Sequence, residues 1–307
     1  MRVLITGGAG FIGSHIQDRC LELGYEVAIL DNLFSGKKEN ISPDSKFYHL
    51  DIRASEVEAV FQEFSPEIMI HMAAQMDVRK SVADPRFDCE VNGLGTLNLL
   101  QNCVKAGTQK VIFASTGGAL YGEQQEFPAT ETHPTYPESP YGITKLLGEK
   151  YLYFYYKNYQ LPYVCLRFSN VYGPRQNPHG EAGVVAIFCA KLLAGDPVTI
   201  FGDGLQTRDF VFVGDVVNAA QLAMQGTKVG EYNVSTGQET SVKGLWQALQ
   251  HLLPEALKPH FAPARAGEQQ RSVISHQKLK KDLGWEPRVS LREGLAKTLE
   301  YFKFLAT

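Results

Sequence analysis

The chain has 307 residues, 44% hydrophobic and 21% charged, the make-up of an ordinary globular protein and not of a disordered or fibrous one. Thirty Lys plus Arg against 33 Asp plus Glu leave a net charge of −3, so no global basic field exists to hold nucleic acid or an anionic membrane. No apolar run reaches the ~20 residues of a membrane span, and no basic-apolar-small leader precedes the first strand, so the expected location is the cytoplasm.

Taken in chain order, Arg2–Thr6 is a short apolar strand that runs into glycines before a helical pattern starts at Ser14. Gly8, Gly10 and Gly13 satisfy a G-x-G-x-x-G spacing, with Gly7 beside them. In such a fingerprint the first glycine turns the chain, the second lets backbone approach a pyrophosphate, and the third lets helix and strand pack closely. The helix N-terminus, through the N–H groups near Phe11, Ile12 and Gly13, then faces the phosphates with partial positive charge. A second strand at 26–30 ends at Asp31, followed by Asn32. A carboxylate there accepts hydrogen bonds from ribose hydroxyls and repels a 2′-phosphate, which favours NAD over NADP.

Apolar runs at Val3, Val27, Phe47, Ile68, Val111 and Val164 alternate with helical segments, the pattern of a doubly wound parallel sheet of Rossmann type in an α/β protein. Residues 1–175 are expected to form this nucleotide-binding domain. Residues 176–307, interrupted by Pro178, Pro254, Pro259 and Pro263, are expected to form a smaller α+β substrate lobe, with the segment near 205–223 returning to the first domain. Cysteines 20, 89, 103, 165 and 189 are odd in number and lack a C-x-x-C pair, which reads as buried free thiols in a reducing compartment. The eight histidines show no metal-ligand spacing, so no metal is expected.

Tyr141 and Lys145 lie four apart in a segment that reads as helix, so they share one face. A free tyrosine has a pKa of about 10. A neighbouring ammonium and an oxidised nicotinamide would both stabilise the phenolate and lower that value, making a general base.

These features resemble the extended short-chain dehydrogenase/reductase superfamily, and within it the NAD-dependent nucleotide-sugar epimerases. The resemblance runs through residues 6–13, 31–33, 71–74, Tyr141 with Lys145, 167–175, 201–204, 208–210 and 284–285. It implies an isomerase acting at C4 of a UDP-hexose, UDP-glucose or UDP-galactose, through a transient 4-keto sugar. It also implies that Asp51 and Ile52 contact adenine, that Ala73 and Ala74 let the cofactor lie close, and that Asn92 meets the cofactor side of the cleft; by itself Asn92 reads equally as a helix N-cap. On the substrate side it implies diphosphate binding by Arg208 and Arg265, a ribose or sugar hydroxyl contact for Glu268, uracil contacts along Thr199 to Phe201, and contacts from Val184 and Asn170.

The family's third catalytic member is a hydroxyl a few residues before a Tyr-Gly. Here the segment before Tyr121 is one residue longer than the common form, and strict counting lands on Gly117. Either a bulge lets Thr116 or Ser115 take the role, Thr116 being preferred, or the hydroxyl is missing. Dehydratases and uronate decarboxylases of the superfamily carry an acid just before the Tyr-Gly; this chain has Gly118, Ala119 and Leu120, which argues against elimination and decarboxylation. The alternatives are a UDP-glucuronate 4-epimerase, with Arg79 and Arg175 as carboxylate partners, a UDP-N-acetylglucosamine 4-epimerase, and a non-catalytic NAD sensor. The apolar stripe at 151–156, on a helix that pairs subunits in the family, implies a homodimer.

Overall fold

The computed structural model describes residues 1–179, 183–265 and 269–306. The first half alternates strand and helix: β1 (Arg2–Thr6), α1 (Phe11–Glu22), β2 (Glu26–Asp31), β3 (Lys46–His49), α2 (Val57–Phe64) and β4 (Ile68–His71). Two short helices, α3 (Val78–Ala83) and α4 (Pro85–Asp88), lead into one π-helical stretch at Cys89–Gly95 and on to α5 (Thr96–Ala106). Then come β5 (Lys110–Thr116), α6 (Gly117–Leu120), α7 (Pro140–Tyr159), β6 (Tyr163–Phe168) and β7 (Asn170–Tyr172). The C-terminal part contains α8 (Val184–Leu193), β8 (Thr199–Phe201), β9 (Thr207–Arg208), β10 (Phe210–Phe212), α9 (Val213–Gln225) and β11 (Gly230–Val234). It closes with β12 (Thr240–Ser241), α10 (Val242–Leu252), β13 (His260–Ala262), β14 (Arg271–Ser272), α11 (Gln277–Leu283) and α12 (Leu291–Ala306).

All six apolar runs singled out in the sequence are strands of one seven-stranded sheet, ordered β11-β6-β5-β4-β1-β2-β3 and parallel throughout. Strand order reverses between β1 and β4, where an open α/β sheet leaves its binding crevice. The period of two along β1 sends Val3 and Ile5 into one core with Ile16, Val216 and Ala220, and Leu4 into another with Val60, Leu99 and Leu152. Both faces are thus covered, which is why β4 and β6 read as unbroken buried runs.

The sheet's seventh strand was not legible as part of the first domain. β11 pairs with β6 from beyond residue 175, and α9 packs on α1, β5 and β6. The segment that packs back on this sheet, α9 with β11, runs over 213–234, where the sequence reading placed a return near 205–223. A third core, with Val185, Phe188, Ile200, Leu249 and Leu299, fills the C-terminal lobe.

Local chemistry sets the ends of the helix that carries Tyr141. Ser139 caps α7 by accepting a hydrogen bond from Gly142 N at 3.2 Å, Pro140 occupies the first turn, and Gln160 ends the helix at φ 55°. Ser139→Ala is expected to cost about 1 kcal/mol, read as a lowered urea midpoint with an unchanged slope; no change in midpoint would mean the cap contributes nothing.

Candidate active site

The glycine turn after β1 brings backbone close to backbone. Gly7 has φ 69°, and a Cβ on it would lie 2.5 Å from Ala73 N. This corrects the assignment of the tight turn to Gly8, which instead packs on Ile29. A Cβ on Gly13 would strike Gly7 O, so that glycine holds α1 against the turn. Gly10 is the open one: a Cβ there would meet only Gly7 O, at 3.2 Å. Gly10 also starts α1 without a side-chain cap, so the first N–H groups of the helix, near Phe11 and Ile12, are available to an anion. Ala73 and Ala74 lie half-buried just beyond β4, across the crevice. Small side chains, a positive-φ glycine and an uncapped helix end fit a dinucleotide's diphosphate.

Asp31 closes the far side and is nearly buried. One carboxylate oxygen accepts from Ala9 N at 3.0 Å and the other from Leu33 N at 2.8 Å. The residue thus also ties β2 to the glycine turn, a structural duty the sequence did not reveal. Burial pushes its carboxyl up from the usual range, opposed by these two backbone bonds. Asn32 donates to Asp51 at 2.9 Å. Asp51 accepts from Arg53 Nε at 2.8 Å, and that bond, ahead of the opposing effect of burial, brings it down to about 2. Ile52 is buried against Gly95. These side chains line the end of the crevice beyond β2 and β3.

Asn92 is not an N-cap. It sits inside the π-helical stretch, buried, with its amide oxygen accepting from Gln75 N at 2.9 Å and its amide nitrogen donating to Gln75 O at 2.9 Å. A π-bulge of this kind re-aims one side chain without ending the helix.

A buried chain of hydrogen bonds runs beneath the crevice. Thr96 Oγ1 donates to Asn92 O at 2.6 Å, so it accepts from His71 Nε2 at 2.9 Å, and His71 Nδ1 in turn accepts from Thr6 Oγ1 at 2.8 Å. The neutral tautomer satisfies both ring nitrogens. Burial, and then the Lys145 charge, bring His71 down from 6.5 to about 3. Because the folded value lies below the unfolded one, this stability is complete above about 6.5 and drains away as pH falls toward 3. Stability is expected to fall between about pH 6.5 and 5, before most carboxylates protonate, and His71→Gln is expected to flatten that slope in urea titrations. Equal slopes in both proteins would count against it.

Tyr141 and Lys145 do share one face of α7. Lys145 is 3% exposed, donates to Ala114 O at 2.9 Å, and lies 4.9 Å from the Phe113 ring centroid and 5.8 Å from that of Tyr141. Burial brings it down to about 8. The expected lowering of Tyr141 is not supplied by the polypeptide: burial first, and then the charge of Asp88, push the phenol well above its ordinary value.

The two candidate hydroxyls separate by strand alternation. Ser115 is buried and donates to Glu149 Oε1 at 2.6 Å, in a network with Arg167. Thr116, on the other face of β5, is half-buried and caps α6 by accepting from Ala119 N at 3.2 Å. Its own O–H proton stays available to donate. Asp88, Gln75, Thr144 and Glu149, which hold this site from behind, were missed in the sequence. The available signal was two acids at helical spacing, Asp88 four before Asn92 and Glu149 four after Lys145, in otherwise apolar surroundings.

The residues expected on the substrate side come from several elements. The Arg265 guanidinium lies 3.9 Å above the Phe201 ring centroid. β8, with Thr199 and Phe201, pairs with β13, and Gln206 donates to Phe201 O at 3.0 Å, drawing β9 and Arg208 toward the same cluster. Asn170 is exposed at the start of β7, and Val184 begins α8 half-buried. Glu268 lies outside the described residues. Arg79 has Asp77 at 3.7 Å and Arg175 has Asp18 at 2.7 Å. Among the described residues no His, Cys, Asp and Glu side chains gather as a metal site, and no helix is long and apolar enough to cross a membrane. Four cysteines are buried free thiols; Cys89 is exposed, contrary to expectation.

The comparisons with known proteins agree with this fold. The sequence model of the family described as GDP-mannose 4,6 dehydratase matches residues 4–298. A UDP-glucose 4-epimerase of Mycolicibacterium smegmatis is 45% identical over 309 residues, covering 99% of each chain. The crystal structure of a Thermotoga maritima UDP-glucose 4-epimerase with UDP-glucose superposes with a TM-score of 0.98 at 47% identity over 100% of both chains. That of a Thermus thermophilus UDP-glucose 4-epimerase in complex with NAD gives 0.93 at 48% identity over 99% of each. With family match, relatives and fold in accord over nearly the full length, the chain belongs to the nucleotide-sugar epimerase and dehydratase family of the extended short-chain dehydrogenases/reductases.

Proposed function

We propose that this protein interconverts UDP-glucose and UDP-galactose by NAD-dependent epimerisation at C4. The observation that carries the reading is Lys145, buried beside Tyr141 with its ammonium anchored to Ala114 O on β5, the strand that ends at Thr116. NAD, when bound, supplies an acceptor and donor for the C4 hydride and a positively charged ring beside the phenol. Tyr141 takes the C4 hydroxyl proton and later returns it; Lys145 stabilises the phenolate; Thr116 donates a hydrogen bond to the sugar's 4-oxygen. Gly7, Gly10 and Gly13 seat the cofactor's diphosphate, and Asp31 and Asn32 its ribose. Asp51, Ile52, Ala73, Ala74 and Asn92 line its path.

Arg208 and Arg265 clamp the substrate's diphosphate, with Phe201, Thr199, Val184 and Asn170 around the nucleotide and sugar, and Glu268 at a hydroxyl. Remote binding of UDP leaves the hexose free to turn over and present its other face. The uronate alternative loses support, since Arg79 and Arg175 each already face a carboxylate. The lobes divide as nucleotide-binding residues 1–175 with the 213–234 return, and a UDP-sugar lobe made of the rest. Exposed Leu94, Ile143, Tyr153 and Phe154, at 59, 54, 52 and 46%, support a homodimer through α7 and the helix before α5. A role in galactose metabolism in the cytoplasm follows from the same reading.

The test is incubation of the purified protein, without added cofactor, with UDP-glucose, UDP-N-acetylglucosamine and UDP-glucuronate separately, products being resolved by proton NMR. A C4 epimer of UDP-glucose without net NADH is expected. Turnover of another sugar alone would reassign the substrate, and no epimer from any, even with NAD added, would defeat the reading.

A further inference from the structure

The segments that leave β2 and β4 meet over the strand between them. β1 lies between β2 and β4 in the sheet, and its glycine turn opens the crevice. The loop after β2 is shaped by its own first residues: Asp31 Oδ1 accepts from Leu33 N at 2.8 Å, and Asn32 Oδ1 accepts from Phe34 N at 3.0 Å. Leu33 is thereby held at φ 57°, a left-handed backbone that a bulky side chain adopts only under constraint. The same loop is pinned to the glycine turn by Lys37 N, which donates to Ala9 O at 3.0 Å, and by Gly36, on which a Cβ would lie 2.8 Å from the Ala9 Cβ. The residue this turn presents is Phe34, 70% exposed.

The ring's partner comes from the other side of β1. Lys80, half-buried in the last turn of α3, has its backbone N–H fixed on Asp77 Oδ1 at 3.0 Å. Its Nζ lies over the Phe34 ring at 4.4 Å from the centroid and over the Phe87 ring of α4 at 4.9 Å. One ammonium is thus shared by two aromatic faces. Phe87 also receives the Arg53 guanidinium at 5.4 Å, from the segment after β3, and Arg53 faces Glu90 at 3.6 Å. Since β1 separates β2 from β4, a row that joins the loop after β2 to α3 and α4 spans the crevice above the glycine turn.

We propose that the Phe34–Lys80–Phe87 row is a strap across the mouth of the nucleotide crevice, which opens for NAD to enter or leave and so sets the rate of cofactor exchange. The inference goes beyond C4 epimerisation and rests only on the crevice taking NAD. The strap is suited to open: the Phe34 side is joined to Lys80 by a cation–π contact at the surface, a weak interaction, while the Asp31 and Asn32 bonds keep the turn ready to close again. A reaction that returns NAD to its starting state at each turnover loses nothing when exchange is slow.

The test uses the purified protein charged with isotope-labelled NAD and chased with excess unlabelled NAD, with no sugar present. Phe34→Ala is expected to raise the release rate about tenfold, the worth of a cation–π contact at a half-buried ammonium. The dissociation constant, from equilibrium dialysis with labelled NAD, is expected to stay within about threefold of the parent, because a strap that must open for entry slows association as much as release. Lys80→Ala is expected to give the same acceleration, and the double variant little more than either single one, since both break one contact. Lys37→Met, on the same loop and facing Glu39 at 3.8 Å, removes a nearby positive charge outside the row and is expected to exchange like the parent. Unchanged release in Phe34→Ala and Lys80→Ala, or equal acceleration in Lys37→Met, overturns the proposal. So does a dissociation constant raised as far as the release rate, which would make Phe34 a direct contact of the nucleotide. Any of these leaves the epimerase reading standing, because sugar turnover tests that separately; a parent protein that takes up no NAD would defeat both.

Discussion

Tyr141→Phe is expected to lower kcat by about 10³-fold or more while the protein stays folded and still binds NAD and UDP-sugar. Among the described residues the phenol makes no side-chain hydrogen bond; the residue's backbone N–H donates to Ser81 Oγ at 3.2 Å and its backbone O accepts from Thr144 Oγ1 at 3.1 Å. Phenylalanine therefore fills the same half-buried space, and the loss is confined to the proton. General acid–base groups contribute typically 10²–10⁴-fold, and the upper part of that range applies because no second titratable group is placed to substitute. Lys145 is tied to Ala114 O, Ser115 to Glu149, and Thr116 is a hydroxyl without a base behind it. The measurement is the interconversion rate under saturating UDP-glucose together with UDP affinity by calorimetry. A variant within tenfold of the parent would remove Tyr141 from the chemistry, and a collapse of UDP binding with kcat unchanged would make it a binding residue.

Glu149→Ala is expected to destabilise the protein by about 3–5 kcal/mol, the cost of leaving a buried charge without its partner. Arg167 and Glu149 are 6 and 1% exposed and pair through two hydrogen bonds, Nε at 2.9 Å and Nη2 at 2.6 Å. Arg167 also donates to Tyr121 OH at 2.9 Å, and Tyr121 donates to Asn233 Oδ1 at 2.7 Å. The network thus joins α7, β5, β6, the Tyr121 turn and β11. Removing the acid strands a guanidinium in a low-dielectric interior and frees Ser115 next to Thr116, so kcat should fall as well. The double replacement Glu149→Leu with Arg167→Met discriminates the cause. If uncompensated charge is what destabilises, the double variant regains most of the loss, because burying two apolar groups of similar volume is near neutral. Urea unfolding of all three proteins decides it: a single variant within about 1 kcal/mol of the parent would mean that water reaches the pair.

How far the sequence could be read depended on how local the signal was. The six strands and the glycine turn declare themselves within a few residues, because a buried parallel strand is an apolar run and a phosphate turn needs glycine where the backbone approaches closely. Tyr141 and Lys145 were legible for the same reason, being one turn apart on a helix whose Ser-Pro cap is written in the sequence. The sequence left a helix cap open for Asn92 because its partners, Gln75 and Thr144, lie 17 and 52 residues away. Choosing between Ser115 and Thr116 needed the register of β5 against α7, since adjacent strand residues face opposite sides and only the fold says which side holds Glu149.

The sequence by itself determined the α/β class, the strand succession, the cradle glycines and the Tyr-Lys pair, all of which rest on contacts within one turn or one strand. The tertiary structure alone decided that β11 completes the sheet, that Asp31 braces the glycine turn, that Ser115 is committed to Glu149, and that Asp88 accepts from Thr144 of α7. Those facts depend on groups far apart in the chain meeting in a dry interior, where burial makes each charge and each unpaired donor costly and so fixes which partner it takes.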